Sequence, residues 1–181
     1  MSNKAALLKE LYTNISTTGA ITFSSKRLVE EMLSHASFNS ANIIVEMGGG
    51  DGSITRGIVS RMKEGSELLV FEVNEFFCEN LRKEFEQENI RIICDSAANL
   101  EQYLEGKKAD LIFSSLPLSL IEKSEKERIY KKSKESLSSD GKFIQICYSY
   151  LLRFEFKKFF QEVKVNFTLK NFPPVFIMLC K

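Results

Sequence analysis

From residue 42 onward the chain alternates between short apolar runs and stripes of helical period. Residues 42–47 (Asn-Ile-Ile-Val-Glu-Met) form an apolar run that ends in glycines and reads as a buried strand. Residues 53–63 predict a helix, 68–73 a second strand, 75–88 a helix, 90–94 a third strand, 99–105 a short helix and 110–115 a fourth strand. The stretch 122–138, dense in Glu and Lys at helical spacing, predicts an exposed helix with i,i+4 pairs. Asp140-Gly141 then predicts a turn into a strand over 142–150, followed by a helix over 153–162. Two last extended runs, 163–170 and 175–180, flank Pro173-Pro174.

Ahead of this region, Leu7, Leu8, Leu11 and Tyr12 share one helical stripe, and Ser24 and Ser25 can cap a second helix whose stripe is Leu28, Val29, Met32 and Leu33. Strands alternating with helices imply an α/β protein with a parallel sheet and ligands at the carboxyl ends of its strands. The two adjacent final runs imply an antiparallel hairpin added to that sheet. With 181 residues the chain has room for one domain with a real core. The expected division is a helical extension or lid over 1–36 and an α/β core over 37–181.

The composition, 44% hydrophobic and 27% charged, is that of an ordinary globular protein. Net charge is +1, which argues against a dedicated nucleic-acid binder, yet it hides a segregation: residues 37–141 carry −5 and residues 142–181 carry +5. The basic end suits either an anionic partner or a solvated rim. Cys78, Cys94, Cys147 and Cys180 lie far apart, and His35 is the single histidine, so no zinc spacing exists and no metal is expected. A reduced cytoplasmic setting fits these cysteines. No apolar run approaches the ~20 residues that span a bilayer. Contact with a membrane surface stays open.

Four of the nine glycines fall within Gly48-Gly49-Gly50-Asp51-Gly52, directly after one apolar strand and before a helix. The spacing is G-x-G-x-G, distinct from the dinucleotide fingerprint and from a phosphate-binding P-loop. Glu46 precedes it. Glu72, at the end of the second strand, is placed to accept the hydroxyls of a ribose, with Val73 beside it, and Asp95 follows the third strand. Ser114-Ser115-Leu116-Pro117 closes the fourth strand, where a substrate would meet a cofactor.

This ensemble resembles the class I S-adenosylmethionine-dependent methyltransferases over about residues 19–181. The resemblance implies a Rossmann-like fold with a seven-stranded, mostly parallel sheet, a C-terminal antiparallel strand and an N-terminal helical extension. Within the class, the chain is most similar to the bacterial phospholipid N-methyltransferases, which are related to the rRNA adenine dimethyltransferases. Ile21-Thr22-Phe23-Ser24-Ser25, Ser115-Leu116-Pro117-Leu118, Phe143-Ile144-Gln145-Ile146-Cys147-Tyr148 and Asn171-Phe172-Pro173-Pro174-Val175-Phe176 carry that similarity. Asp51 and Val175 depart from the commoner residues. The aromatic that stacks on a flipped adenine in the rRNA enzymes is replaced by Leu118.

The resemblance implies that Glu46, Gly48, Gly50 and Gly52 hold the methionine end of S-adenosyl-L-methionine. By the same likeness Glu72 and Val73 meet the ribose side, Asp95 and Ser96 the adenine, and Ser114 the amino group. Ser115, the Leu116 carbonyl and Pro117 would face the nucleophilic nitrogen, and Tyr148 would orient the amine or bind a lipid phosphate. Glu46 has a structural alternative, supporting the glycine loop. The expected substrate is a phospholipid, phosphatidylethanolamine first, methylated by a peripheral enzyme on the cytoplasmic membrane face. The alternatives are RNA methylation, small-molecule methylation and a non-catalytic binding protein. Phe154, Phe156, Phe159 and Phe160 are candidates for dipping into lipid or for packing.

Overall fold

All five residues of the first strand, Ile43–Met47 (β1), are buried, including a glutamate. Such a run fits a strand covered on both faces, as a parallel sheet requires. The computed structural model describes residues 25–171 and 173–181. The helix expected at 4–12 and the segment Ile21–Ser24 lie outside the described residues.

The order after β1 is helix α1 before it at Lys26–Ser34, then α2 (Ser53–Val59), β2 (Glu67–Glu72), α3 (Glu75–Glu84), β3 (Ile90–Cys94), α4 (Leu100–Leu104) and β4 (Ala109–Ser114). There follow α5 (Lys123–Ser136), β5 (Leu137–Cys147), α6 (Arg153–Phe156), β6 (Val163–Thr168) and β7 (Val175–Cys180). The seven strands form one sheet in the order β3-β2-β1-β4-β5-β7-β6. Strands β1 to β5 are parallel, and β7 runs antiparallel to both β5 and β6. The C-terminal hairpin is therefore present, with the later strand on the inside.

Two apolar cores cover the sheet. Ile44, Val70, Phe113 and Ile144 pack with Leu28, Met32, Ile58 and Leu81 on the face carrying α1 to α3. Val45, Met47, Ile112 and Phe143 pack with Leu100, Tyr130 and Phe156 on the opposite face. Helix α1 has nine residues, too few to persist alone in water. Burial of Leu28, Val29, Met32 and Leu33 holds it, at about 1.5–3 kcal/mol for each large side chain. Ser25 Oγ caps its start by accepting from Leu28 N–H, and Lys142 Nζ binds the His35 carbonyl just past its end. His35 is the C-cap residue. Helix α1, from the expected extension, thus belongs to one core layer.

Two expected elements differ. Asp140-Gly141 is no turn before a strand: β5 begins at Leu137 and runs through both residues. The pairing with β4 slips there, from Ala109 opposite Leu137 to Leu111 opposite Lys142. A Cβ on Gly141 would stand 2.9 Å from the Ala109 carbonyl oxygen, so the bulge brings two backbones too close for a side chain. The helix expected over 153–162 stops at Phe156 and continues as hydrogen-bonded turns to Phe160. Phe156 and Phe160 are both buried against Phe143, while Phe154 stays exposed.

Candidate functional site

The strand register sets the site. Ile93, Phe71, Met47, Ser114 and Gln145 stand in one row across β3, β2, β1, β4 and β5. The residues just past that row are therefore neighbours: Asp95, Glu72, Gly48, Ser115 and, further along, Tyr148. Every one of these was expected at the site from sequence.

Behind β1 the backbone turns sharply through the glycines. Gly48 and Gly49 N–H both donate to the Phe71 carbonyl, at 2.8 and 3.1 Å. Gly48 has φ +87°, and a Cβ there would lie 3.1 Å from Ser115 Oγ. Gly50 has φ +49° and open space where a side chain would project. Gly52 caps the start of α2, and Asp51 accepts from Ser53 N–H and Oγ.

Glu72 anchors this loop. One carboxylate oxygen accepts from Gly50 N–H at 2.9 Å, the other from Val73 and Asn74 N–H at 2.8 and 2.9 Å. Burial raises its pKa, opposed by those three amides. A carboxylate offers about four lone-pair sites, so one is left for a hydroxyl donor. Val73 itself is exposed at the rim.

Glu46 is fully buried one residue before the end of β1. Neither carboxyl oxygen has a hydrogen bond of normal geometry, and neither does the nearby Thr55 hydroxyl on α2. Burial pushes the Glu46 carboxyl up to about 8; Thr55 opposes the shift, and Glu72 and Asp51 add to it. Three carboxyl groups thus surround the glycine loop, and burial favours the neutral form of the innermost, Glu46.

At the edge of the site, Asp95 accepts from Ser96 N–H, Asn99 Nδ2 and Tyr103 Oη. Burial raises its pKa, but the bonds from Asn99, Tyr103 and Ser96 outweigh it and leave the carboxyl below its ordinary value. Ser96 Oγ donates to Glu125 at 2.6 Å, tying this corner to α5.

The loop after β4 is held from three sides. Ser115 N–H donates to the Met47 carbonyl at 3.0 Å, and Ser115 Oγ to the Gly48 carbonyl at 2.9 Å. Buried Ser114 Oγ accepts from Leu116 N–H at 3.4 Å. The Leu116 carbonyl, expected to face an acceptor nitrogen, receives Leu118 N–H at 2.8 Å and Gln145 Nε2 at 3.2 Å. Both of its lone pairs are engaged, so an incoming amine must displace one donor. Pro117 sits in the same tight turn, its carbonyl accepting from Leu120 N–H. Leu118 points into the core, not toward the site. Tyr148, one residue past β5, is exposed.

Thr55, Asn74, Asn99 and Tyr103 join the site without having been singled out, and Gln145, noted only within the Phe143–Tyr148 motif, joins it as well. Gln145 carries a signal, a polar residue inside the apolar run Phe143–Cys147; Thr55 carries none. Among the described residues no group of three His, Cys, Asp or Glu could hold a metal.

The comparisons with known proteins decide the family. A family described as "Methyltransferase domain" matches residues 44–141, from β1 through the bulge of β5. The chain belongs to that methyltransferase family. Its fold is the class I, Rossmann-like methyltransferase fold. The structure of a Burkholderia thailandensis 1,6-didemethyltoxoflavin-N1-methyltransferase, with bound 1,6-didemethyltoxoflavin and S-adenosylhomocysteine, is similar at a TM-score of 0.76 and 13% identity. It covers 97% of this chain and 87% of that one. The N-methyltransferase NodS from Bradyrhizobium japonicum, in complex with S-adenosyl-L-homocysteine, is similar at a TM-score of 0.67 and 12% identity, over 86% of this chain and 84% of that one. In sequence, an ornithine lipid N-methyltransferase of Singulisphaera acidiphila is 28% identical over 149 residues, 80% of this chain and 78% of its own length. S-adenosylmethionine is the cofactor of this methyltransferase class. The residues present fit it: a buried carboxyl at Glu46 that makes no hydrogen bond of normal geometry among the described residues, a spare acceptor site on Glu72 and an open cradle at Gly50.

Proposed function

We propose that this methyltransferase transfers a methyl group to the primary amine of a lipid headgroup, with phosphatidylethanolamine as the leading acceptor. The carrying observation is the loop after β4, whose Ser115 hydroxyl is oriented by Gly48 beside the glycine turn while Leu118 is buried away from it. A base-stacking ring has no counterpart at Leu118, which disfavours a flipped adenine as acceptor. The similarity to an ornithine lipid N-methyltransferase supports a lipid amine, and ornithine lipid is the second acceptor it brings forward.

S-adenosylmethionine supplies the electrophilic methyl on a sulfonium when bound. Glu46, Gly48, Gly50 and Gly52 would hold its methionine end, Glu72 and Val73 the ribose, Asp95 and Ser96 the adenine, and Ser114 the amino group. Ser115 Oγ donates to Gly48 and keeps its own lone pairs, so it accepts from an amine N–H and aims the nitrogen. An alkylammonium has no free pair, and partial exclusion of water beside Leu116 and Pro117 favours its neutral form. Positioning, with the proton leaving to solvent, is the protein's contribution. Tyr148, exposed just past β5, would meet the headgroup.

The test is label transfer from S-adenosylmethionine into dispersed phosphatidylethanolamine, ornithine lipid and a structured RNA, with products separated by chromatography. Label in a lipid amine, reduced by Ser115→Ala, is the expected result. Label in RNA alone would overturn the lipid reading.

A further inference from the structure

Large apolar side chains cluster at one place on the surface. Leu151 is 68% exposed, Phe154 50%, Phe167 54% and Leu169 74%, and Tyr150 joins them. Leu151 and Phe154 follow β5, and Phe167 and Leu169 close β6, which runs parallel to β5. All therefore lie at the carboxyl edge of the sheet, where the glycine loop and the Ser115 loop also open. The rings of this patch are linked across the two strands: the Phe167 ring sits 5.2 Å from Phe176, and Phe176 sits 5.6 Å from Tyr150. The Arg153 guanidinium lies 4.2 Å over the Tyr150 ring and 4.5 Å over Phe154. Its Nε is buried without a hydrogen-bond partner among the described residues.

Isolated exposed apolar residues need no explanation, whereas a contiguous group beside a site marks an interaction surface. The charge around it selects the occupant. Arg153 lies among the rings, and Lys157 and Lys158 are exposed on the turn after Phe154. Glu155, the one carboxylate near the patch on that turn, is paired with Lys126 at 2.8 Å. Apolar and aromatic tips with a cation among them are what a bilayer interface takes: rings at headgroup level, Arg and Lys toward phosphates.

We infer that this carboxyl-edge patch is the docking surface for a lipid bilayer. Docking there sets the mouth between Ser115 and Tyr148 against the headgroup layer, so that an amine reaches the site while its acyl chains stay in the membrane. The inference rests on the lipid reading of the acceptor and adds the surface that delivers it. It also sorts the phenylalanines: Phe154 meets lipid, whereas Phe156 and Phe160 are core.

The experiment is sedimentation of the full chain with vesicles of phosphatidylethanolamine and phosphatidylglycerol, for wild type and for the double variant Leu151→Ser, Phe154→Ser. Both side chains are solvent-exposed, so the variant folds, as an unchanged thermal transition would verify. Expected is a loss of vesicle affinity of about tenfold or more, given the apolar area removed. Methylation of a monomeric short-chain phosphatidylethanolamine should stay within about twofold of wild type. Vesicle binding that is absent in wild type or unchanged in the variant would overturn the surface, and so would equal loss on monomeric lipid. Wild type that binds vesicles but methylates no lipid, short-chain or dispersed, leaves the surface standing and removes the acceptor reading instead.

Discussion

Gln145 donates from its side-chain amide to the carbonyl oxygen of Leu116, 3.2 Å away and 29 residues earlier. Its neighbour in register on β4, Ser114, accepts from the N–H of the same Leu116. One sheet row thus grips a single residue of the loop after β4 at both of its backbone polar groups. The Gln145 side-chain oxygen, Oε1, is buried and has no partner of its own among the described residues.

Replacing Gln145 by Met removes the grip and the orphaned oxygen together, so stability should change by less than about 1.5 kcal/mol. Turnover should fall on the order of tenfold to a hundredfold through loss of loop alignment. Affinity for S-adenosylhomocysteine, measured by calorimetry, should hold within about twofold. Unchanged kcat would show that the grip is packing alone.

Glu46 makes the protein less stable as pH rises. Below about 4.5, the ordinary value, its carboxyl is protonated whether folded or not, and the folded value is about 8. Between these limits only the unfolded chain loses the proton, so the unfolding free energy falls with pH by up to about 1.4 kcal/mol per unit. Glu46→Gln should flatten urea-unfolding midpoints between pH 5 and pH 8 and exceed wild type at the upper end. A steeper slope in the variant would contradict the burial argument.

Glu72 holds three loop amides, and its two substitutions should separate folding from binding. Glu72→Ala leaves those donors without a partner and should cost about 3 kcal/mol or more, read as a lowered melting temperature. Glu72→Gln can still serve Val73 and Asn74 while its amide meets the Gly50 N–H, donor against donor. It should fold nearly as well yet bind S-adenosylhomocysteine at least about tenfold more weakly.

Adjacent glycines should fail in different ways. A Cβ on Gly49 would stand 2.7 Å from both Leu81 and Val70, so Gly49→Ala should destabilise by about 1–3 kcal/mol. At Gly50 a side chain meets only open space, and Asn tolerates its positive φ. Gly50→Asn should melt near wild type while blocking cofactor binding. Equal affinity in Gly50→Asn would show that the open space is not the cradle.

β1, β2 and β4 were legible because each is an apolar run buried on both faces, and the edge strand β3 because its short apolar run ends before Asp95; β3 and β7 appear with the bounds the pattern predicts. Asp140-Gly141 misled because a bulge uses the same residues as a turn, and only the close approach to Ala109 distinguishes them. The carboxylates at 46, 72 and 95 were legible from their position at strand ends. Their partners were not, since Thr55, Asn99 and Tyr103 are ordinary helix and turn residues until folding brings them within reach. Nor does any spacing reveal that the Leu116 carbonyl is already bonded twice.

Strand β6 pairs with β7 alone, and β7 bridges it to β5. Strands β1 to β4, residues 43 to 114, can therefore each pair with a strand already made, β4 returning across β2 and β1 to lie beside β1, whereas β6 must wait for a strand that comes after it in the chain. Glycine turn and carboxylates sit in the early half; the aromatic rim sits in the late one. Amide exchange under native conditions should register this as two tiers, with β6 opening at lower free energy than β1 and β4. A chain caught between the tiers would have its glycine turn formed and its aromatic rim still unassembled.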